Sequence, residues 1–164
     1  METRRYHVLY IEDHDDTREL VELVLAERNY RVTTGSTIAD ALKLAHQHHF
    51  DLYILDSWLP DGSGIDLCKS LREFHPRIPI LFLSGAAYEA DKDSALKSGA
   101  QGYLIKPADL DVLCWEVSKV IDSFTPKRQR VAVPPQCSSY LRGASGGNTS
   151  FEFSSSFKYS TVKH

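Results

Sequence analysis

Hydrophobic positions along the chain follow two rhythms. Nearly continuous apolar runs stand at Val8-Leu9-Tyr10-Ile11, at Leu52-Tyr53-Ile54-Leu55 and over residues 78–83, the last interrupted by Pro79. Runs of this kind suit strands covered on both faces, as in a parallel sheet flanked by helices. Weaker strand candidates lie at residues 30–34 and 102–105. Between the runs, apolar residues recur at steps of three and four. The clearest stripe is Leu110, Leu113, Cys114, Val117, Val120, Ile121 and Phe124, with Asp109 before it as an N-cap and Pro126 beyond its end. Residues 17–28, 38–47, 65–74 and 87–98 fit the same helical period. Strand then helix, five times over, predicts a doubly wound α/β domain: a five-stranded parallel sheet with five helices. Such a sheet places its ligand site at the carboxyl ends of the strands, where the strand order reverses.

The pattern stops at Pro126. Pro134-Pro135, Gly146-Gly147 and Ser154-Ser155-Ser156 break any period, although Tyr140, Phe151, Phe153, Phe157 and Tyr159 are more aromatics than a spacer needs. Charge changes at the same place. Residues 1–125 carry 13 Lys/Arg against 21 Asp/Glu, whereas residues 126–164 carry six against one. The expectation is a domain over residues 1–125 followed by a basic, Ser/Gly/Pro-rich tail over 126–164, mostly disordered. The 164-residue length leaves little room for a second core, and a 42% hydrophobic content excludes a wholly disordered chain. No apolar run approaches the roughly 18 residues of a membrane span. Arg4 and Arg5 precede only a short apolar stretch, ended by Glu12 and Asp13, so no export signal is expected. Three scattered cysteines without metal-ligand spacing fit a reduced, cytoplasmic setting.

The polar residues at the strand ends carry the chemistry. The first run ends in Glu12-Asp13, the third in Asp56, the fourth in Ser84 and the fifth in Lys106-Pro107. In a parallel sheet these converge on one edge. Three carboxylates crowded together repel one another unless a cation joins them, and hard oxygen ligands with room for water suit Mg²⁺ better than zinc. A hydroxyl and an ammonium beside them can bind the oxygens of a transferred phosphoryl group. Taken together the set describes a phosphoryl-transfer centre that forms an aspartyl phosphate. Taken singly, each residue has an ordinary role. Glu12 and Asp13 could cap the next helix, Ser84 could form a side-chain turn, and Tyr103 could be a plain strand aromatic. The convergence argues otherwise.

In this order the residues resemble the receiver domain of bacterial two-component response regulators. The resemblance covers residues 6–125. It includes Leu59-Pro60-Asp61-Gly62-Ser63-Gly64 after the central aspartate and the ending Gly99-Ala100-Gln101-Gly102-Tyr103-Leu104-Ile105-Lys106-Pro107. It implies a flavodoxin-like sheet with strand order 2-1-3-4-5. It further implies that Asp56 is the phosphoacceptor for a histidine kinase. Mg²⁺ would be held by Glu12, Asp13, Asp56 and the backbone carbonyl of Trp58. Ser84 and Tyr103 would act as switch residues, Lys106 would pair with the phosphoryl group, and the bond before Pro107 would be cis. The implied protein is a single-domain regulator, a phosphoacceptor switch rather than an enzyme, that signals by phosphorylation-dependent binding of an unknown downstream protein. A phosphorelay intermediate feeding a histidine phosphotransfer protein is the alternative. A haloacid-dehalogenase-type phosphatase would instead show Asp-x-Asp on its first strand, and here Asp56 is followed by Ser57-Trp58.

Other signals weigh less. His46, His48 and His49 do not share a helical face, which favours a solvated helix end over a metal site. Lys127-Arg128-Gln129-Arg130 is a weak basic patch, and nothing after residue 126 resembles a helix-turn-helix, so no direct sequence-specific DNA binding is expected. Many DNA-binding receivers carry an acidic pair, used in pairing receivers through their last helices, where this chain has Gln101-Gly102, a departure that puts that mode of dimerisation in doubt.

Overall fold

The computed structural model describes residues 5–125. The expected tail, residues 126–164, lies outside the described residues. Five strands, β1 (His7–Ile11), β2 (Arg31–Gly35), β3 (Leu52–Leu55), β6 (Ile80–Ser84) and β7 (Gly102–Ile105), form one sheet in the order β2-β1-β3-β6-β7. Every neighbouring pair is parallel. Two short strands, β4 (Trp58–Leu59) and β5 (Gly62–Ser63), form a separate antiparallel hairpin. Without that hairpin the order is the 2-1-3-4-5 expected of a doubly wound domain. The helices are α1 (Asp15–Glu27), α2 (Ile38–Gln47), α3 (Gly64–Phe74), α4 (Glu89–Lys97) and α5 (Leu110–Phe124).

Alternation along the strands divides the interior in two. Val8, Tyr10, Leu52, Ile54, Leu81 and Leu83 pack with Val21 and Leu25 of α1 and with Leu113, Val117 and Ile121 of α5. Leu9, Ile11, Tyr53, Leu55, Ile80 and Phe82 face the other way, onto α2, α3 and α4. Both faces are dry, so the central strands carry no polar alternation. The strand over residues 78–83 begins instead at Ile80, after Pro79, whose missing N–H cannot join a ladder. The helix expected from Thr17 begins two residues earlier, with Asp15 and Asp16 in the first turn, where the helix dipole favours them. Asp109 caps α5 by accepting from the Asp111 N–H at 2.8 Å. Among the described residues no helix is long and apolar enough to cross a membrane.

Gln101 has a use inside the fold. Its Oε1 accepts from Arg72 Nη2 at 2.8 Å and from the Ile80 N–H at 2.7 Å, and its Nε2 donates to the Gly99 carbonyl at 3.0 Å. Arg72 also donates to the carbonyls of Gly99, His75 and Ile78. Its guanidinium is thus anchored by neutral acceptors, and it ties α3 to the loop before β7. The next residue, Gly102, is buried, and a Cβ there would lie 2.8 Å from Leu81 Cδ1.

Opposite the carboxyl edge, imidazoles and aromatic rings gather. His7 Nδ1 donates to the His49 carbonyl at 3.0 Å, which leaves Nε2 to accept from the Thr33 hydroxyl at 2.8 Å. The buried Tyr53 hydroxyl shares a hydrogen bond with His75 Nδ1 at 2.8 Å. Burial, then Arg31 and His48, hold His7 below the usual histidine range; burial, then His46 and His49, do the same for His75. The unfolded chain, titrating near 6.5, therefore takes up these protons first as pH falls. Their contribution is complete above about pH 6.5 and declines below it. The melting temperature should drop by a few degrees between about pH 7 and 5.5, and a His7→Gln/His75→Gln double variant should flatten that slope. An unchanged slope in the double variant would refute the assignment. His46, His48 and His49 make no compact metal cluster; among the described residues that geometry belongs only to Glu12, Asp13 and His14.

Candidate functional site

The carboxyl edge brings the candidate residues together. Glu12 and Asp13 follow β1, Asp56 follows β3, Ser84 ends β6 and Lys106 follows β7. Glu12 and Ser84 are fully buried and Asp56 nearly so. Lys106 Nζ donates to Asp56 Oδ2 at 2.7 Å and also to Glu12 Oε2, which accepts in addition from the Tyr10 hydroxyl at 2.8 Å. Burial alone would lower the Lys106 pKa, but the hydrogen bonds and charges of Asp56 and Glu12 outweigh it and hold the ammonium above its usual value. Tyr10 is pushed up, first by burial and then by Glu12. Lys106 is followed by a cis peptide bond to Pro107.

The remaining groups are set by the loops. Asp56 Oδ1 accepts from the backbone N–H groups of Ser57 and Trp58. Ser84 Oγ accepts from the Ala86 N–H at 3.2 Å. Tyr103 stacks on Phe82 at 5.9 Å and donates its hydroxyl to the Ala86 carbonyl at 2.8 Å, close to Ser57 Oγ at 3.4 Å. The hydroxyl side chain and the tyrosine thus meet on one short loop.

Three contributors make contacts that the sequence did not disclose: His14, which no motif singled out, and Asp61 and Gly64, which stand in the motif after Asp56. His14 Nδ1 lies 3.0 Å from Asp13 Oδ1 and 3.3 Å from Glu12 Oε1, and Asp13 first, then Glu12, raise its pKa. Asp61, in the hairpin turn, accepts from the N–H groups of Ile38 and Ala39 at 2.8 and 3.0 Å, fastening the loop after Asp56 to the start of α2. Gly64 opens α3 with its N–H on the Ser57 carbonyl at 2.9 Å, and a Cβ there would sit 1.9 Å from the Asp56 carbonyl oxygen. The motif marked Asp61 and Gly64, but spacing alone does not say which backbone groups they meet. The donor set fits a hard divalent cation: carboxylate oxygens from two strand ends, one of them on the half-exposed Asp13, beside loops rich in backbone carbonyls.

A model of the response regulator receiver domain matches residues 8–118. The chain belongs to that family. This receiver domain is 31% identical over 129 residues to the response regulator protein PilR of Pseudomonas aeruginosa, covering 79% of this chain and 29% of that protein. It is 32% identical over 114 residues to the response regulator ArlR of Staphylococcus aureus, covering 70% of this chain and 52% of that one. The chain therefore spans about half, or less, of the length of these curated relatives. Among solved structures, the non-phosphorylated HemR receiver domain of Leptospira biflexa matches with a TM-score of 0.70 and 30% identity, covering 74% of this chain and 98% of that chain. A putative response regulator of Chloroflexus aurantiacus matches with a TM-score of 0.70 and 29% identity, covering 73% and 99%. A receiver domain is the signalling module of two-component systems, a switch rather than a classical enzyme. Receiver domains bind Mg²⁺ at an acidic pocket, and Glu12 and Asp13 form an acidic cluster at this edge, with His14 beside them.

Proposed function

We propose that Asp56 accepts a phosphoryl group from a histidine kinase, and that the phosphorylated protein signals by binding a partner protein. The observation that carries this reading is the pairing of Lys106 with Asp56 at 2.7 Å in a buried site that also holds Glu12 and Ser84. Two backbone N–H groups orient the Asp56 carboxylate, so that one oxygen can attack phosphorus. Lys106 and the Ser84 hydroxyl are placed to bind the incoming oxygens. Glu12, Asp13, Asp56 and the Trp58 carbonyl would hold Mg²⁺, which supplies charge neutralisation for the phosphoryl oxygens. A Ser84 drawn toward the phosphoryl group would pull on the Ala86 loop, and through it on Tyr103. That displacement would shift a two-state equilibrium at α4, β7 and α5, where Ile105, Val112 and Trp115 stand exposed for a partner.

Acetyl phosphate with Mg²⁺ should add one phosphoryl group by intact mass. Borohydride reduction and peptide mapping should then place it on Asp56. A label on any other residue, or none, overturns the reading.

Lifetime of the phosphorylated state follows from the same loops. Trp58 and Ala86 share a cleft beside the acceptor, and neither side chain can accept a hydrogen bond from an attacking water: one is a bulky, largely apolar indole, the other a methyl. Trp58→Asn should therefore shorten the phosphorylated state by about threefold or more, read as time courses of phosphoryl loss. Equal rates, or a slower variant, would show that the indole does not shield phosphorus.

A further inference from the structure

Ser57, the residue after the acceptor, is buried, and all three of its polar groups are in use. Its N–H donates to Asp56 Oδ1, its carbonyl accepts from the Gly64 N–H at 2.9 Å, and its hydroxyl lies 3.4 Å from the Tyr103 hydroxyl. The direction of the last bond follows from the available protons. Tyr103 has one O–H, and it goes to the Ala86 carbonyl at 2.8 Å, which can only accept. Ser57 therefore donates and Tyr103 accepts. The Tyr103 ring also stacks on Phe82, 5.9 Å between centroids and 15° from parallel. Its body is held by the stack and its tip by two hydrogen bonds.

A serine hydroxyl ordinarily finds its partner on backbone groups a few residues away. This one reaches a side chain 46 residues along the chain, and among the described residues Tyr103 is its only hydrogen-bond partner. One residue thus touches the acceptor carboxylate with its N–H and Tyr103 with its O–H. Ser84 is connected to Tyr103 separately, through the N–H and then the carbonyl of Ala86. A separation of 3.4 Å is long for two hydroxyls, so a shift of a few tenths of an ångström tightens the Ser57 bond or breaks it.

We propose that Ser57 is a positioning residue that couples Asp56 to Tyr103 directly, in parallel with Ser84. The inference rests on Asp56 as the acceptor. In the free carboxylate, the Ser57 N–H bonds to an oxygen that shares a full negative charge. Once one carboxylate oxygen is bound to phosphorus, the other is a neutral carbonyl, and the charge resides on the phosphoryl oxygens. The charge-assisted bond from Ser57 then becomes an ordinary, weaker one. The Ser57 carbonyl stays tied to Gly64, so the residue turns about that tie and its hydroxyl moves against Tyr103. Tyr103 then registers the state of the acceptor even where the Ser84 hydroxyl is missing.

The test follows the fluorine resonance of Tyr103 in the full chain carrying 3-fluorotyrosine, assigned by its loss in Tyr103→Phe. Its shift on labelling with acetyl phosphate and Mg²⁺ is the readout. Intact mass gives the labelled fraction, so slow labelling of a variant does not enter. In Ser84→Ala the resonance should still shift. Adding Ser57→Ala should cut that shift by about threefold or more, whereas adding Ser57→Thr, which keeps the hydroxyl, should retain it. Ser57→Cys, a weaker donor of similar size, should fall between the two, and it carries the test if the alanine chain does not fold. A role confined to packing would not distinguish the hydroxyl from the thiol. Equal shifts with and without the Ser57 hydroxyl, or no shift in labelled Ser84→Ala, would overturn the coupling. If the wild-type chain takes no label, the acceptor assignment itself falls and takes the coupling with it.

Discussion

The Asp56→Asn protein should fold, melt within a few degrees of the wild type, and take up no phosphoryl group from acetyl phosphate or from a kinase. The amide matches the carboxylate in shape, and its oxygen can still accept from the N–H groups of Ser57 and Trp58. What it lacks is a nucleophilic oxygen anion. An amide does not displace a leaving group from phosphorus, so labelling should fall by about a thousandfold or more, below detection by intact mass. Stability should change little because two effects oppose each other. Lys106 loses the 2.7 Å contact to Asp56 but keeps Glu12, and the repulsion between the two carboxylates disappears. The net cost should be about 1–2 kcal/mol, well below that of stranding a buried charge. Persistent labelling of the variant, or a protein that no longer folds, would contradict the account.

A larger effect on stability is expected from a single methyl group. In Gly64→Ala the new Cβ would lie 1.9 Å from the Asp56 carbonyl oxygen, 2.9 Å from its carbon and 3.1 Å from Ser57 Cα. All three are backbone atoms, so no side chain can swing aside. Either α3 moves outward, breaking the Gly64 N–H to Ser57 bond, or the chain carrying the acceptor bends. Overpacking against rigid backbone of this kind should cost about 3–5 kcal/mol. Urea unfolding measures it, and the folded fraction should label slowly because the acceptor has been displaced. Gly85→Ala is the matched control: the space around it is open, and its stability should stay within about 0.5 kcal/mol of wild type. Similar midpoints for the two variants would show that the close approach at Gly64 is not needed.

The contrast between these glycines marks where a sequence stops speaking. β1, β3 and β6 were legible because burial on both faces writes a solid apolar run. β2 lies at the sheet edge and is only partly buried, so its signal was weak and its bounds shifted by a residue. The hairpin of β4 and β5 was silent, because two residues per strand carry no period. At the site, Glu12, Asp13, Asp56, Ser84 and Lys106 could be assembled from their positions at run ends, given only a parallel sheet. Gly64, Asp61 and His14 could not, since each acts through one backbone contact or one neighbour, which spacing does not encode. Gln101 was noticed as a missing acid; its inward bonds to Arg72 and Ile80 became visible only in three dimensions.

That last contact gives α4 a fulcrum. The carbonyl of Gly99, just past the helix, is gripped by Arg72, and the Cys68 thiol reaches the Ser98 carbonyl at 3.5 Å. A guanidinium held by carbonyls and an amide is neither titrated near neutral pH nor dependent on a partner anion that salt could screen. The other end of α4 starts at the exposed Tyr88, and along its whole length the helix buries only Ala95. A rod pinned at one end and loose at the other does not slide; it tilts. Nine residues make a lever of about 13 Å, so a pull of about 1 Å on the loop beside Ser84 would swing the helix by about 4°. The direction of that swing is fixed by which end is pinned, and the face shown to a partner would change most near Tyr88 and least near Gly99.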